Sequence, residues 1–300
     1  MKIKKSLGYR VFTVANIIFM IFIGVVMLFP YLNVVAKALN EGADTARGGI
    51  TLYPRKFTTE NLKLIVTEAS FLNALIVSVS RVVIGVILGI VVQFSAAYAL
   101  TKKRFPFKGF ITLLFVIPGY ISAGQIPHYV LLADLKLINN FWVYIIPSLF
   151  SFYNIIVFRT FIQSTVPDSL PEAALIDGAN ELTIMWKIVL PLCKPVLATV
   201  ALWIMVGQWN DWTSTLIYIR KPKLFTLQYK MMELVKESER MTKLIEAARQ
   251  AGQDVTDMPV PTSESLIAAQ VVITTFPIIC VYPFLQKYFV KGIMLGAVKG

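Results

Sequence analysis

The side chains of this chain that could do chemistry are polar groups set inside long apolar runs, and their types limit what that chemistry is. Asn73 and Gln93 lie in one such run, Tyr120, Gln125 and His128 in the next, and Asn154 in a third. Gln208, Trp209, Asn210, Asp211 and Trp212 crowd the later part of a fourth. Amides and a carboxylate hydrogen-bond hydroxyl groups, and aromatic faces pack against the apolar face of a ring. His128 is the single histidine, so a histidine metal cluster or histidine proton relay is excluded. Almost no carboxylate falls inside the apolar runs, so no convergent acid–base set for bond breaking is present and no catalytic residue is assigned. Cys193 and Cys280 lie far apart and give neither metal-ligand spacing nor a disulfide framework. These groups read as the lining of a path for a polar solute. Trp209 and Trp212 read equally as interfacial anchors, and the amides as groups that join helices.

A second constellation is the segment SLPEAALIDGANELTIMWKIVLP, residues 169–191. Ser169 and Glu172 have the spacing of a capping box, with Pro171 in the first turn, where its missing N–H does no harm. The spacing predicts a short helix from Leu170 that stops at Gly178, which can take the left-handed conformation. Asn180 then caps a second helix in which Leu182, Met185, Trp186 and Val189 recur at helical intervals, and Pro191 closes it. Ala173 and Ala174 are small enough to let another surface approach closely. Local chemistry leaves two readings open: a hairpin gripped by a partner protein, or an amphipathic hairpin resting on the membrane or on its own bundle.

The elements that must position these residues are membrane helices. Of 300 residues 56% are hydrophobic and 15% charged, and the mean hydropathy is +0.67, a balance that a water-covered surface rarely permits. Apolar runs of about 20 residues, long enough to cross a bilayer, predict six spans: Val11–Val35, Phe71–Leu100, Phe110–Leu132, Phe141–Phe161, Val196–Ile219 and Ser265–Leu285. The class is therefore an all-α polytopic membrane protein. The first run is too long for a cleaved leader and reads as a retained span.

Basic residues cluster before the first span (Lys2, Lys4, Lys5, Arg10), between the second and third (Lys102, Lys103, Arg104, Lys108) and after the sixth (Lys287, Lys291, Lys299). With six spans all three sites share one side, which places both termini in the cytoplasm. The same clusters account for the formal net charge of +12 without nucleic acid, since no basic aromatic platform accompanies them. The 220–264 segment, basic but offset by carboxylates, then lies outside. Its 224–250 part predicts an amphipathic helix, either a solvated cap or a docking surface for an external partner.

The pattern Glu172-Ala173-Ala174, Asp177-Gly178 and Ile188-x-Leu190-Pro191 resembles the EAA motif of permease subunits in ABC importers. Other stretches, including NALIVSVSRVV, AAYALTKKRFPFKG and the C-terminal YPFLQKYFVKGIMLGAVKG, resemble the maltose-type carbohydrate permeases, most closely their LplC/YtcP-type branch. The resemblance implies a type I ABC importer permease (MetI-like) fold. Its parts would be residues 1–69 (N-terminal segment, first span and outer loop), a permease core over 70–290 with the EAA loop at 169–191, and a cytoplasmic tail over 291–300. It further implies that Glu172, Ala173, Ala174, Asp177, Gly178, Leu190 and Pro191 couple to an ATPase, and that Gly296, Lys299 and Gly300 reach between ATPase subunits. For the tail, attraction of a basic terminus to anionic lipid is the other reading.

Function follows as an expectation: a permease subunit of an ATP-driven importer in the bacterial cytoplasmic (inner) membrane, passing a carbohydrate, an oligosaccharide by its branch. No phosphate-cradling Gly-rich loop precedes a Lys-Ser/Thr pair in this sequence, so ATP and Mg belong to a partner and the chain carries no cofactor or metal. The implied partners are a second homologous permease in a heterodimer, two copies of an ABC ATPase, an extracytoplasmic solute-binding protein, the oligosaccharide and membrane lipid. An ion-driven secondary transporter or an intramembrane glycan-processing enzyme are the alternatives. Neither the internal repeats and buried ionisable groups of the first nor the convergent acids of the second stand out in the sequence.

Overall fold

The computed structural model describes residues 7–250 and 263–297, apart from 104 and 122. Among the described residues the secondary structure is helical, and the β pairing is a single isolated bridge between Asn40 and Phe57. Contacts divide the chain into two compact units, residues 1–69 with 231–276 and residues 70–230 with 277–300.

In the first unit, α1 (Leu7–Ala38) is a long apolar helix with Pro30 inside it. After it the chain folds into a polar knot. Buried Asn40 donates to Asp44 and to Thr45, and Arg55 donates through Nε to Asp44 at 3.0 Å. The Asn61 amide, on α2 (Glu60–Val66), donates to the carbonyls of Ala38 and Asn40. The knot satisfies backbone groups that a loop of this length would otherwise leave unpaired.

The second unit is organised around α3 (Phe71–Thr101), an unbroken helix without proline. It is followed by α4 (Lys108–Tyr120), α5 (Gln125–Asp134), a pair of 3₁₀ turns at Phe141–Tyr144 and Ile146–Leu149, and α6 (Phe152–Thr165). Then come α7 (Ser169–Ile176), α8 (Glu181–Leu192), α9 (Lys194–Asn210) and α10 (Thr213–Tyr218). Its main core joins Phe94 and Ala97 of α3, Ile155 and Phe158 of α6, Ile184 and Val189 of α8, and Val200 of α9. The last two helices, α11 (Leu227–Gln250) and α12 (Ser263–Ala297), cross the division between the units.

Three helices among the described residues, within α1, α3 and α12, are long and apolar enough to cross a membrane unaided. The second expected span, Phe71–Leu100, coincides with α3 to within one residue. The middle spans are broken where continuous helices were expected. The third stops at Tyr120 and resumes at Gln125, because Pro118 removes a ladder donor and Gly124 takes φ 84°. The fourth begins as 3₁₀ turns around Pro147 and bends by 47° into α6. The fifth ends at Asn210, where Asp211 turns extended, and α10 restarts at Thr213. Among the described residues, six uninterrupted spans are therefore not present, although the helical class is.

Candidate functional site

The 169–191 segment folds as two helices meeting at a glycine, with differences from the expected detail. The first helix begins at Ser169, one residue before the expected start. Asp168 occupies the N-cap without a side-chain bond, so the Ser169–Glu172 capping box does not form. The Asp168 carboxylate instead pairs with Lys103 at 3.0 Å, and that contact holds the Lys103 ammonium above its usual range. The helix ends in a Schellman turn. Gly178 donates to the Leu175 carbonyl and Ala179 to the Ala174 carbonyl, with Gly178 at φ 82°. Asn180 caps the second helix, its side chain accepting from the Thr183 N–H at 2.8 Å.

That second helix is wound as a π-helix over Ile184–Val189. The wider turn shifts the face expected from α-helical spacing: Met185 and Val189 are buried as expected, Ile184 joins them, and Leu182 is left exposed. Pro191 does not close the helix. The chain continues to Leu192 and turns by 87° at Cys193 into α9. Of the expected coupling residues, Glu172, Ala173, Asp177, Gly178 and Pro191 are exposed. Ala174 faces the chain's own core, and half-buried Leu190 packs against it. The sequence reading missed exposed Leu170, Leu175 and Ile176, which give α7 an apolar outer surface. Their spacing puts them on no single face of the helix, so helical periodicity gave no signal for them.

A second feature is a polar cavity of about 370 Å³ in the same unit. It forms where the Asp211–Trp212 break lies against α3. Arg81, 2% exposed, donates through Nε to Gln208 Oε1 at 2.7 Å, and its two terminal nitrogens reach the Asp211 carbonyl at 2.9 Å and carboxylate at 2.6 Å. Its guanidinium lies 4.4 Å from the Tyr144 ring centroid. Asp211 also accepts from the Ser214 N–H, in the first turn of α10, at 3.0 Å. Gln208 donates to the Tyr144 carbonyl and to Ser148 Oγ, while Asn154 donates to Gln93. Each of the buried side chains Arg81, Gln93, Asn154 and Gln208 thus has a partner, which is the condition for keeping it away from water.

The cavity brings together His128, Asn154, Gln208 and Asp211 of the expected path, and Gln93 with them. It does not bring in the others. Asn73 donates to the Lys223 carbonyl, Tyr120 is 83% exposed, Gln125 and Asn210 are exposed, and Trp209 is buried outside the lining. Sequence reasoning missed Arg81, Tyr144, Ser148 and Trp203, which line the cavity. It also held that no buried ionisable group stood out, and the Arg81–Asp211 pair corrects this. A signal existed, because a charged residue inside an apolar helix marks a functional position by default. Gly296 lies in the last helix, while Lys299 and Gly300 fall outside the described residues.

The chain has clear relatives. The family model for a binding-protein-dependent transport system inner membrane component matches residues 82–295. Protein LplC of Bacillus subtilis (strain 168) is 33% identical over 291 residues, covering 97% of this chain and 96% of the relative. The polygalacturonan/rhamnogalacturonan transport system permease protein YtcP of the same strain is 29% identical over 285 residues, covering 94% and 96%. Among solved structures, a chain of a bacterial ABC transporter involved in the import of the acidic polysaccharide alginate superposes with a TM-score of 0.81. Its identity is 25%, and the match covers 96% of this chain and all of that one. From the matched 214-residue span and these whole-length likenesses, the chain belongs to the family of binding-protein-dependent transport system inner membrane components.

Proposed function

We propose that this chain is the permease subunit of an ATP-driven importer that carries an oligosaccharide across the cytoplasmic membrane. The observation that carries the reading is the helix–turn–helix at 169–191, whose Gly178 turn and apolar α7 surface project from the core of a membrane-spanning chain. A surface of that kind needs a partner. In this reading α7 is seated in a cleft of a separate ATPase, with Glu172, Ala173, Asp177 and Gly178 at the contact and Ala174, Leu190 and Pro191 shaping the hairpin. A second homologous permease completes the pore, two ATPase copies sit below, and a solute-binding protein delivers cargo from outside. Both termini are cytoplasmic, as the basic residues beside the spans favour, and the tail from Gly296 to Lys299 and Gly300 lies on the ATPase side.

Polysaccharide fragments are the cargo class. The names of YtcP and of the alginate transporter support this, as does a cavity whose amides, hydroxyl and aromatic groups suit a pyranose ring. His128, Asn154, Gln208 and Asp211 line the path, and Asn73, Tyr120, Gln125, Trp209 and Asn210 belong to its approaches. Uptake into vesicles that contain ATP, compared with vesicles under an imposed ion gradient, tests the energy source. Uptake that persists without the ATPase partner overturns the reading. Binding of the cognate solute-binding protein to a panel of neutral and uronic oligosaccharides identifies the cargo.

A further inference from the structure

We infer that Glu181 is a positioning residue that locks the helix–turn–helix to α3, so that α3 and α9 move as one body when the loop is driven. The inference rests on the loop being the seat of an ATPase.

The loop has a covalent route to the cavity: α8 runs through the bend at Cys193 into α9, which ends at Asn210, next to Asp211. It has a second, non-covalent route through Glu181 at the start of α8. Glu181 Oε2 accepts from Tyr98 Oη at 2.6 Å and pairs with Lys102 Nζ at 2.8 Å. Lys102 Nζ also lies 4.5 Å from the Tyr98 ring centroid, which closes a three-membered cluster. Tyr98 is 6% exposed, the Lys102 side chain 28% and the Glu181 side chain 53%, so the shielding comes from the α3 side of the cluster. The neighbouring Lys103–Asp168 pair is 84% and 75% exposed and contributes little.

From Tyr98, α3 runs unbroken to Arg81, a span of about 25 Å at 1.5 Å per residue. There the guanidinium holds both the carboxylate and the backbone carbonyl of Asp211. The two routes therefore converge on one residue. A pull on α9 alone would shear the Arg81–Asp211 pair, whereas a loop fastened to both helices carries the pair along intact. Tyr98 and Glu181 lie on different elements and touch across 83 positions of chain, the kind of packed contact through which coupling travels.

The test uses the complete complex with its partner permease, ATPase and binding protein in nanodiscs, with ATP plus vanadate as the probe. Amide hydrogen exchange is read at the loop (168–183) and at the last turns of α3 (95–101). In wild type, trapping changes exchange at both. In Glu181→Gln and in Lys102→Met the loop response persists, while the α3 response falls by roughly threefold or more. The swap Lys102→Glu with Glu181→Lys restores it. An undiminished α3 response in both single variants overturns the lock. Absence of any loop response in wild type overturns the ATPase-seat reading itself, so the two failures are distinguishable.

Discussion

Arg81 and Asp211 stand 130 positions apart and meet at 2.6 Å, Arg81 with 2% of its side chain exposed and Asp211 with 27%. The pair joins the middle of α3 to the point where the fifth apolar run breaks. Removing one partner of a fully buried pair costs about 3–5 kcal/mol, and the partial exposure of Asp211 reduces that. Arg81→Met is expected to destabilise by on the order of 2 kcal/mol, read by thermal unfolding of the purified chain in detergent. Asp211→Asn should cost less than Asp211→Leu, since its single amide oxygen can still accept from one of the two donors, Arg81 or the Ser214 N–H, that the carboxylate serves with separate oxygens. The double variant Arg81→Met with Asp211→Leu should be less damaged than the sum, with a coupling of about 1 kcal/mol or more. Strict additivity would mean that the pair does not hold the break.

Gly178 has φ 82° and open space where a Cβ would sit. The cost of a substitution there is therefore backbone strain, about 1–2 kcal/mol for alanine, and not a clash. Gly178→Ala is expected to leave membrane insertion intact and to lower co-purification of the ATPase. Gly178→Asn, which tolerates the left-handed region better, should lower it less, and Gly178→Asp should lower it most by placing a second carboxylate beside Asp177. Equal co-purification in all three, with normal uptake, would remove the turn from the contact.

How much of this was legible in the sequence depended on whether the deciding interaction was local. The ends of α3 could be read because apolar length alone sets them. The Gly178 stop and the Asn180 cap could be read because each is decided within four residues. The break at Asp211 could not, because apolar composition continues across it and the partner that stabilises it, Arg81, comes from a distant helix. The break after Tyr120, by contrast, had local signals in Pro118 and Gly124 that a continuous span did not use. Leu182 was misplaced for a related reason: the π-winding of Ile184–Val189 alters the face without any change in composition. The cavity's amides Gln93, Asn154 and Gln208 were found, with His128 and Asp211, while its arginine sat unremarked in an apolar run.

Acid should loosen the polar knot of the first unit. The hydrogen bond from Asn40, together with Arg55, holds the Asp44 carboxyl below its ordinary value of 3.8. A carboxyl whose folded value is lowered contributes stability that is complete above the ordinary value and is lost as pH falls through the folded one. Amide protection factors across residues 40–57, which remove the intrinsic pH dependence of exchange, should therefore hold well above pH 3.8 and fall as the pH drops below it. Asp44→Asn, which cannot titrate, should flatten that dependence. An acid response that survives Asp44→Asn would assign it to another group.

Close approach of α3 to α9 depends on two glycines one helical turn apart. A Cβ on Gly89 would lie 3.1 Å from Ile204 Cδ1, and one on Gly85 would lie 3.3 Å from Gln208 Nε2. Small residues four apart let membrane helices pack backbone to backbone. Ile204 Cδ1 is the free end of a flexible chain, so Gly89→Ala should keep most of the gain that alanine brings to a helix interior. The Gln208 amide is held at three points, by Arg81, Tyr144 and Ser148, and cannot give way without loosening the cavity wall. Gly85→Ala should thus lose the gain of up to about 1 kcal/mol that alanine brings to a helix interior, and Gly85→Leu should cost about 1–3 kcal/mol by overpacking. Gly24→Ala, where nothing lies within 4 Å, is the control for propensity alone. Thermal unfolding of the four variants in one detergent orders them. If Gly85→Ala is stabilised as much as Gly24→Ala, the Gln208 network is not the constraint on this crossing.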